Sequence, residues 1–259
     1  QLGAHWIATG HYARVVHGQP QDRALLKKGL DPRKDQSYFL FSLRQEYLRH
    51  LLFPLGELTK SDSREVARDC SLRTADKEES MEICFVPDND YRGFLTQSKL
   101  VGVDPGDIVD LQGKVLGRHD GVAFYTIGQR RGLGLSSPEP LYVLELDAKL
   151  NRVVVGPVDA LDKPSFIIDR CNWIPFEHLK EPIEVTAKIR YNHPGTLAVV
   201  TPLEGQRARV DLSVPQRAIT PGQACVLYQD DLVVGGGWIL KTCDPAPAEP
   251  VNVAQNASL

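Results

Sequence analysis

Cysteine is scarce in this chain of 259 residues, and its copies form no recognisable pattern. The five cysteines are widely scattered, none forms a CxxC pair, and none has a histidine at metal-ligand spacing beside it. An odd, scattered set argues against a disulfide framework and against structural zinc. The sequence therefore predicts a protein of the reducing cytoplasm with no metal site.

Long apolar runs and a strong charge of either sign are also missing. No run approaches the roughly 20 residues that a membrane-spanning helix needs, so we expect no membrane partner. The net charge of −3 argues against a protein that coats nucleic acid through a global positive field. An RNA partner would have to be met by local basic pairs, each of which is equally an ordinary solvated surface pair. The candidate pairs are Lys27-Lys28, Arg33-Lys34, Arg130-Arg131, and Lys188 with Arg190.

Methionine occurs once, at Met81, and the chain opens with Gln1. Residues 2–9 have the pattern of a helix end followed by a buried strand, so the chain starts within an element. We therefore expect it to be the C-terminal portion of a longer protein.

One cysteine, Cys84, stands where the character of the chain changes. It follows the polar, acidic residues 74–82 and lies within the short apolar stretch 83–86. The residues before it predict mixed α/β structure, and almost everything after it predicts β-strands. This thiol could be a reactive sulfur held between two domains or a small buried hydrophobe, which is the commoner case.

Two polar segments of the first part are candidate binding sites. Residues 5–9 predict a buried strand that ends at Gly10 and His11, and ligands of α/β sheets bind at such strand ends. Gly10 would permit close backbone approach and His11 could reach a phosphate or a base, although a plain turn explains both equally well. The second segment, which could contact a polyanion or simply cap a helix, is Lys34, Asp35 and Gln36.

Two further helices are predicted in the first part of the chain. One spans residues 45–52. The other begins at the capping pair Thr59 and Asp62. Helical spacing places the side chains of Val66, Ala67 and Cys70 on its inward face.

Strand patterns dominate from residue 105 onward. Two hairpins are predicted, over residues 106–116 and 141–155. The basic, glycine-rich segment 121–135 matches neither common nucleotide-loop motif, so it indicates no nucleotide site. The last region contains six short strands between turns, which is typical of a small barrel or a sandwich, and three consecutive glycines that predict a bulge or a close backbone approach.

Eight segments, in order along the chain, carry a family resemblance. They are ATGHYARV at 8–15, GLDPRKDQSYFL at 29–40, FPLGELTK at 53–60, EICFV at 82–86, HDGVAFYTIGQRRGLGL at 119–135, KIRY at 188–191, PQRAITPGQACVLY at 215–228 and GGGWI at 235–239. In these segments the sequence resembles the tRNA-specific 2-thiouridylases over nearly its whole length.

The resemblance implies an α/β + β fold in three parts. Residues 1–84 would be the C-terminal part of an adenine-nucleotide α-hydrolase-like (PP-loop) domain, and residues 85–165 a small central β-rich domain. Residues 166–241 would form a C-terminal β-barrel, with a disordered tail over 242–259.

The resemblance also implies an ATP-dependent sulfurtransferase, with Mg²⁺ as the accompanying ion. Such an enzyme adenylates the wobble uridine of tRNA and transfers persulfide sulfur, supplied by a donor or relay protein, to C2 of that base. The family's SGGVDSS pyrophosphate loop and its partner cysteine have no counterpart in this sequence, so we expect these 259 residues alone to be inactive.

Individual residues match the family's functional positions. Cys84 matches the persulfide-bearing cysteine and Gly10 a backbone position beside the nucleotide. The positions that match tRNA contacts are His11, Lys34, Asp35, Gln36, Arg190, Tyr191 and Gln223. The alternatives to this enzyme are a non-catalytic RNA-binding module with a β-barrel and another adenylating enzyme of the same hydrolase superfamily.

Overall fold

The computed structural model describes residues 3–19, 21–73, 75–76, 93–94, 96 and 102–244. Its first part contains a parallel pair of short strands and three helices. They are β1 (Ile7–Ala8), α1 (Ser37–Leu40), α2 (Gln45–Leu48), β4 (Leu51–Leu52) and α3 (Lys60–Asp69). The strand expected at 5–9 is confirmed as β1. Its two residues are exposed in the described part of the chain, whereas the sequence predicted a buried strand. The helix expected over 45–52 stops at Leu48, because Leu51 and Leu52 pair with β1 instead.

The start of α3 is the capping box that the sequence predicts. The hydroxyl oxygen of Thr59 accepts a hydrogen bond from the Asp62 N–H, and the Asp62 carboxylate accepts one from the Thr59 N–H. The inward face was predicted wrongly. Val66 is 52% exposed and Cys70 is exposed too, since nothing in the described part of the chain covers this side of the helix.

A hairpin of β2 (Ala13–Val16) and β3 (Leu25–Lys28) leaves the first part and joins the barrel sheet. The junction is the pairing of Lys27 with Leu232. Side chains from the hairpin, the first helices and the barrel form one shared core, which includes Leu26, Leu48 and Tyr228. The first part of the chain is therefore anchored on the barrel by apolar packing.

The middle of the chain forms a four-stranded sheet in the order β6-β5-β8-β7. Its strands are β5 (Gly106–Val109), β6 (Val115–His119), β7 (Tyr142–Asp147) and β8 (Arg152–Gly156). Both predicted hairpins are confirmed, and β5 also pairs with β8 in parallel. The buried side chains of Ile108, Val143 and Val153 lie at the centre of its core.

The last region is a closed barrel, and all six predicted strands are present. They are β9 (Asp162–Trp173), β10 (Ile183–Lys188), β11 (Thr196–Leu203), β12 (Arg207–Arg217), β13 (Ala224–Gln229) and β14 (Leu232–Cys243). The order β13-β10-β11-β12-β9-β14 closes through the pairing of β13 with β14, which makes it a barrel rather than a sandwich. The first two residues of the predicted tail, 242 and 243, belong to β14 instead, and its residues 245–259 lie outside the described ones.

The three consecutive glycines lie in β14, where the barrel closes. A Cβ atom on Gly235 would meet the carbonyl oxygen of Asn172, and one on Gly236 would meet the carbonyl oxygen of Cys225 and the ring of Phe41. The register of β14 shifts on both sides of this point. The predicted close backbone approach is confirmed.

Candidate nucleic-acid interface

Cys84, the residue matched to the persulfide carrier, lies outside the described residues. Gly10 and His11 follow strand β1, whose backbone pairs with β4. The Thr9 Oγ1 and His11 Nδ1 atoms lie 2.8 Å apart, and the His11 ring contacts Phe53 edge-on at 5.7 Å between centroids. Gly10 is exposed, and a Cβ atom there would meet only Leu55, at an ordinary 3.6 Å. The strand end is therefore open to a ligand.

The loop before α1 carries the trio Lys34, Asp35 and Gln36, and two of these side chains hold the loop in place. The Asp35 carboxylate accepts hydrogen bonds from the N–H of Gly29 at 3.0 Å and from the N–H and hydroxyl of Ser37 at 3.0 and 2.9 Å. The Gln36 Oε1 accepts the N–H of Tyr12 at 3.0 Å, and the Gln36 N–H donates to the Tyr12 carbonyl. These bonds fix the loop against the residue that follows His11.

The barrel contributes the turn after β10. Arg190 is exposed, whereas Tyr191 is half-buried and its hydroxyl donates to the Asp35 carbonyl at 3.3 Å. The Tyr191 ring lies 4.7 Å from the ring of Phe39, which is 57% exposed. The structure thus brings the loop residues and the barrel residues together, and it adds Phe39. Phe39 was not among the residues matched to RNA contacts, and no signal in the sequence separates an exposed aromatic from a buried one at that position.

Cations surround this contact. The Lys188 Nζ lies 6.0 Å from the centre of the Tyr191 ring, and the Lys28 Nζ lies 4.6 Å from the centre of the Tyr228 ring. Burial lowers the pKa of Lys188, and the positive charge of Lys28 lowers it further, while the carboxylate of Asp35 opposes both effects. We call the surface formed by residues 34–39 and 188–191 the interface.

His193 holds the turn that carries Arg190 and Tyr191. Its imidazole is 4% exposed, its Nδ1 accepts the Gly195 N–H at 3.1 Å, and its Nε2 lies 2.9 Å from the Gln216 Oε1. Because Nδ1 is an acceptor, Nε2 carries the proton and donates to Gln216, so the ring is neutral. Burial lowers the pKa of His193, as do the charges of the neighbouring arginine and lysine.

Gln223 lies directly before β13 and is exposed. Its backbone carbonyl accepts the Ile239 N–H at 2.8 Å. The next carbonyl along the chain, that of Ala224, accepts the hydroxyl of Tyr38 at 2.7 Å. Gln223 therefore stands one residue from the point where α1 is held to the barrel.

The four described cysteines are free thiols. Burial raises the pKa of Cys171 to about 12, and burial also raises the pKa values of Cys225 and Cys243. A thiol of high pKa is a poor nucleophile near neutral pH. Cys70 is exposed and lies just beyond α3.

Family models match nearly the whole chain in three consecutive parts. A tRNA methyl transferase HUP domain matches residues 1–88, and a tRNA methyl transferase PRC-barrel domain matches residues 93–157. An aminomethyltransferase beta-barrel domain matches residues 163–239.

Curated relatives match across the same span. The chain is 50% identical over 241 residues to tRNA-specific 2-thiouridylase MnmA 1 of Caldanaerobacter subterraneus. The matched region covers 93% of this chain and 66% of that protein. It is 48% identical over 240 residues to the MnmA of Carboxydothermus hydrogenoformans, covering 93% and 66%. It is 51% identical over 238 residues to that of Geotalea uraniireducens, covering 92% and 63%. The chain thus spans about two thirds of the length of these relatives.

Proposed function

We propose, because the chain belongs to the family of tRNA-specific 2-thiouridylases, that it forms part of an ATP-dependent tRNA-uridine 2-sulfurtransferase. The enzyme would convert the wobble uridine of tRNA to 2-thiouridine. The matches run in order through all three parts of the chain, and the sequence identity to proteins of that name is about 50%.

The observation that carries this proposal is the contact between the loop before α1 and the turn after β10. The Tyr191 hydroxyl donates to the Asp35 carbonyl, and the Phe39 and Tyr191 rings lie together beside Lys188 and Arg190. Aromatic faces flanked by cations suit single-stranded RNA, because unstacked bases bind to the rings while the phosphates bind to the charges. The anticodon loop that contains the wobble uridine is such a segment.

The nucleotide would bind at the carboxyl end of β1. The open backbone at Gly10 fits this role, since ligands of parallel sheets bind outside the carboxyl ends of strands. ATP with Mg²⁺, when bound, would supply the adenylate that activates O2 of the uridine. His11, held by the Thr9 hydroxyl, would stand between the nucleotide and the RNA.

Cys84 would carry the sulfur, delivered as a persulfide by a donor or relay protein. The terminal sulfur would form a bond to C2 of the uridine, while O2 departs with the activating group. The bond between that sulfur and Cys84 Sγ breaks when a second cysteine thiolate attacks Sγ, which leaves a disulfide. An external dithiol must then return two electrons before the next turnover.

The central experiment replaces Cys84 with serine in the intact protein. Cys84→Ser should abolish 2-thiouridine, measured by mass spectrometry of digested tRNA, while tRNA affinity stays unchanged because only the sulfur carrier is lost. The matched control is Cys70→Ser, at an exposed thiol. Full thiolation by Cys84→Ser would refute the assignment.

The same assay decides between the enzyme and the alternative, a non-catalytic RNA-binding module. The module would bind tRNA but leave the uridine unmodified even with ATP and a persulfide donor.

None of the described helices has the length and the apolar composition of a membrane-spanning segment. We propose that the enzyme works in the cytoplasm.

A further inference from the structure

A second basic surface lies next to the interface, in a groove between the loop 30–34 and α3. The groove has a volume of about 730 Å³. Its charged lining residues are Asp31, Arg33, Lys34, Lys60, Arg64 and Arg68. Among the residues that the structure describes, five cations and one carboxylate thus face the same space, and we call it the α3 groove.

The carboxylate in the described lining, that of Asp31, is hydrogen-bonded to backbone groups. Asp31 is 7% exposed, and its two oxygens accept the N–H of Arg33 at 3.0 Å and the N–H of Lys60 at 3.1 Å. These two hydrogen bonds lower the pKa of Asp31, so it stays ionised and holds the loop to the first turn of α3. The described lining of the groove therefore carries a net positive charge.

Three of the cations form a row along α3. Lys60, Arg64 and Arg68 follow one another at intervals of four residues, which on a helix places them about 6 Å apart along one face. Arg68 pairs with Asp76 at 3.0 Å, whereas Arg33 and Arg64 make no ion pair with any residue that the structure describes. The carboxylates of Glu65 and Asp69 do not line the groove.

We propose that the α3 groove binds consecutive backbone phosphates of the RNA that occupies the interface. A row of cations matches a repeating series of phosphates, whereas a compact nucleotide would reach only part of the row. Two links make the groove continuous with the interface. Lys34 belongs to both. The Lys60 Nζ lies 5.6 Å from the centre of the Tyr12 ring, and the backbone of Tyr12 is hydrogen-bonded to Gln36. This inference rests on the proposed function.

The test removes, in the intact protein, the two arginines that make no ion pair among the described residues, as Arg33→Gln, Arg64→Gln and the double variant. Each lost phosphate contact should lower the slope of log Kd against log salt by about one, whatever the RNA sequence. Raising the salt from about 50 to 200 mM should then weaken binding by each single variant about threefold less than it weakens binding by the parent. Arg64→Lys should retain the slope, and Arg152→Gln, on the exposed side of β8, is the control that should change nothing.

Each of the following outcomes would overturn the inference that the α3 groove binds RNA phosphates. An unchanged slope in a protein that still binds and thiolates tRNA overturns the groove alone and leaves the proposed function standing. Weaker ATP binding with normal tRNA binding would make the groove a nucleotide site. Slower sulfur delivery with normal tRNA binding would make it a docking site for an acidic protein. If the intact parent protein neither binds nor thiolates tRNA, the proposed function fails with it.

Discussion

At the scale of single residues, the matched RNA-contact positions divide into side chains that build the loop and side chains that face solvent. The Asp35 carboxylate accepts its hydrogen bonds from Gly29 and Ser37. A substitution there would disturb the loop before it disturbed any RNA contact. The groups best placed to contact RNA are the exposed Arg190 and the ring pair of Phe39 and Tyr191.

The ring pair gives a prediction that separates stacking from hydrogen bonding. Tyr191→Ala and Phe39→Ala should each weaken tRNA binding by about 1–3 kcal/mol if a base stacks on the rings. Tyr191→Phe keeps the ring and loses only the bond to the Asp35 carbonyl, so tRNA affinity should be nearly unchanged. Filter binding at fixed salt measures all three.

Stability measurements supply the control for these variants. Phe39 is exposed, so Phe39→Ala should leave the melting temperature close to that of the parent. If Tyr191→Ala lowered only the melting temperature, and Phe39→Ala left tRNA affinity untouched, the rings would be structural and the interface would lie elsewhere.

At the scale of elements, the turn after β10 depends on one buried imidazole. Neutral His193 bridges the Gly195 N–H and the Gln216 side chain of β12. Protonation would turn Nδ1 from an acceptor into a donor and would set a positive charge beside Lys188 and Arg190. The turn that presents Tyr191 is therefore sensitive to pH.

The sign of that dependence follows from the lowered pKa of His193. An unfolded histidine has a pKa of about 6.5, so between that pH and the lower pKa of the folded state the unfolded chain binds more protons. The contribution of His193 to stability is complete above about pH 6.5 and is lost as the pH falls through the folded pKa. Melting temperatures from about pH 8 to pH 5 should fall more steeply in the parent than in His193→Gln.

The control for this comparison is His178→Gln, at an exposed histidine. Its pH profile should follow that of the parent. A His193→Gln profile parallel to the parent's would show that His193 does not titrate differently in the folded and unfolded states.

At the scale of the whole molecule, polar bonds hold the first part of the chain on the barrel. The Gln45 Oε1 accepts the Ala24 N–H at 2.9 Å, and its Nε2 donates to the carbonyls of Ala24 and Ile174 at 2.8 and 3.1 Å. Asn172 of β9 donates to the carbonyls of Phe41 and Leu43 at 2.7 and 3.1 Å. One half of the interface is thereby fixed relative to the other.

Removing one of these links should loosen the whole assembly. Gln45→Ala removes this side chain's hydrogen bonds to the N–H and the carbonyl of Ala24. The Ile174 carbonyl still accepts a bond from the Arg23 Nε. We expect a loss of about 1–3 kcal/mol in the free energy of unfolding. Urea denaturation measures it, with Gln112→Ala in an exposed turn as the control. An unchanged unfolding midpoint in Gln45→Ala would show that the Gln45 hydrogen bonds do not stabilise the junction of the two parts.

The sequence by itself determined the elements whose signals are local. The six barrel strands, both hairpins, the Thr59 capping box and the close approach at the glycines of β14 follow from alternation, turn residues and capping spacing, which act within a few residues. The motif series likewise identified the family, because it consists of residue identities that folding does not alter.

Only the tertiary structure decided what depends on distant partners. Barrel rather than sandwich was settled by the pairing of β13 with β14, and strand rather than helix at Leu51 by the pairing with β1. Helical spacing predicted a buried Cys70, but burial depends on what covers the face, and the thiol is exposed. The contact of Tyr191 with Asp35 joins residues 156 positions apart, and no local pattern encodes such a contact, because it exists only once the barrel has closed and the first part has packed against it.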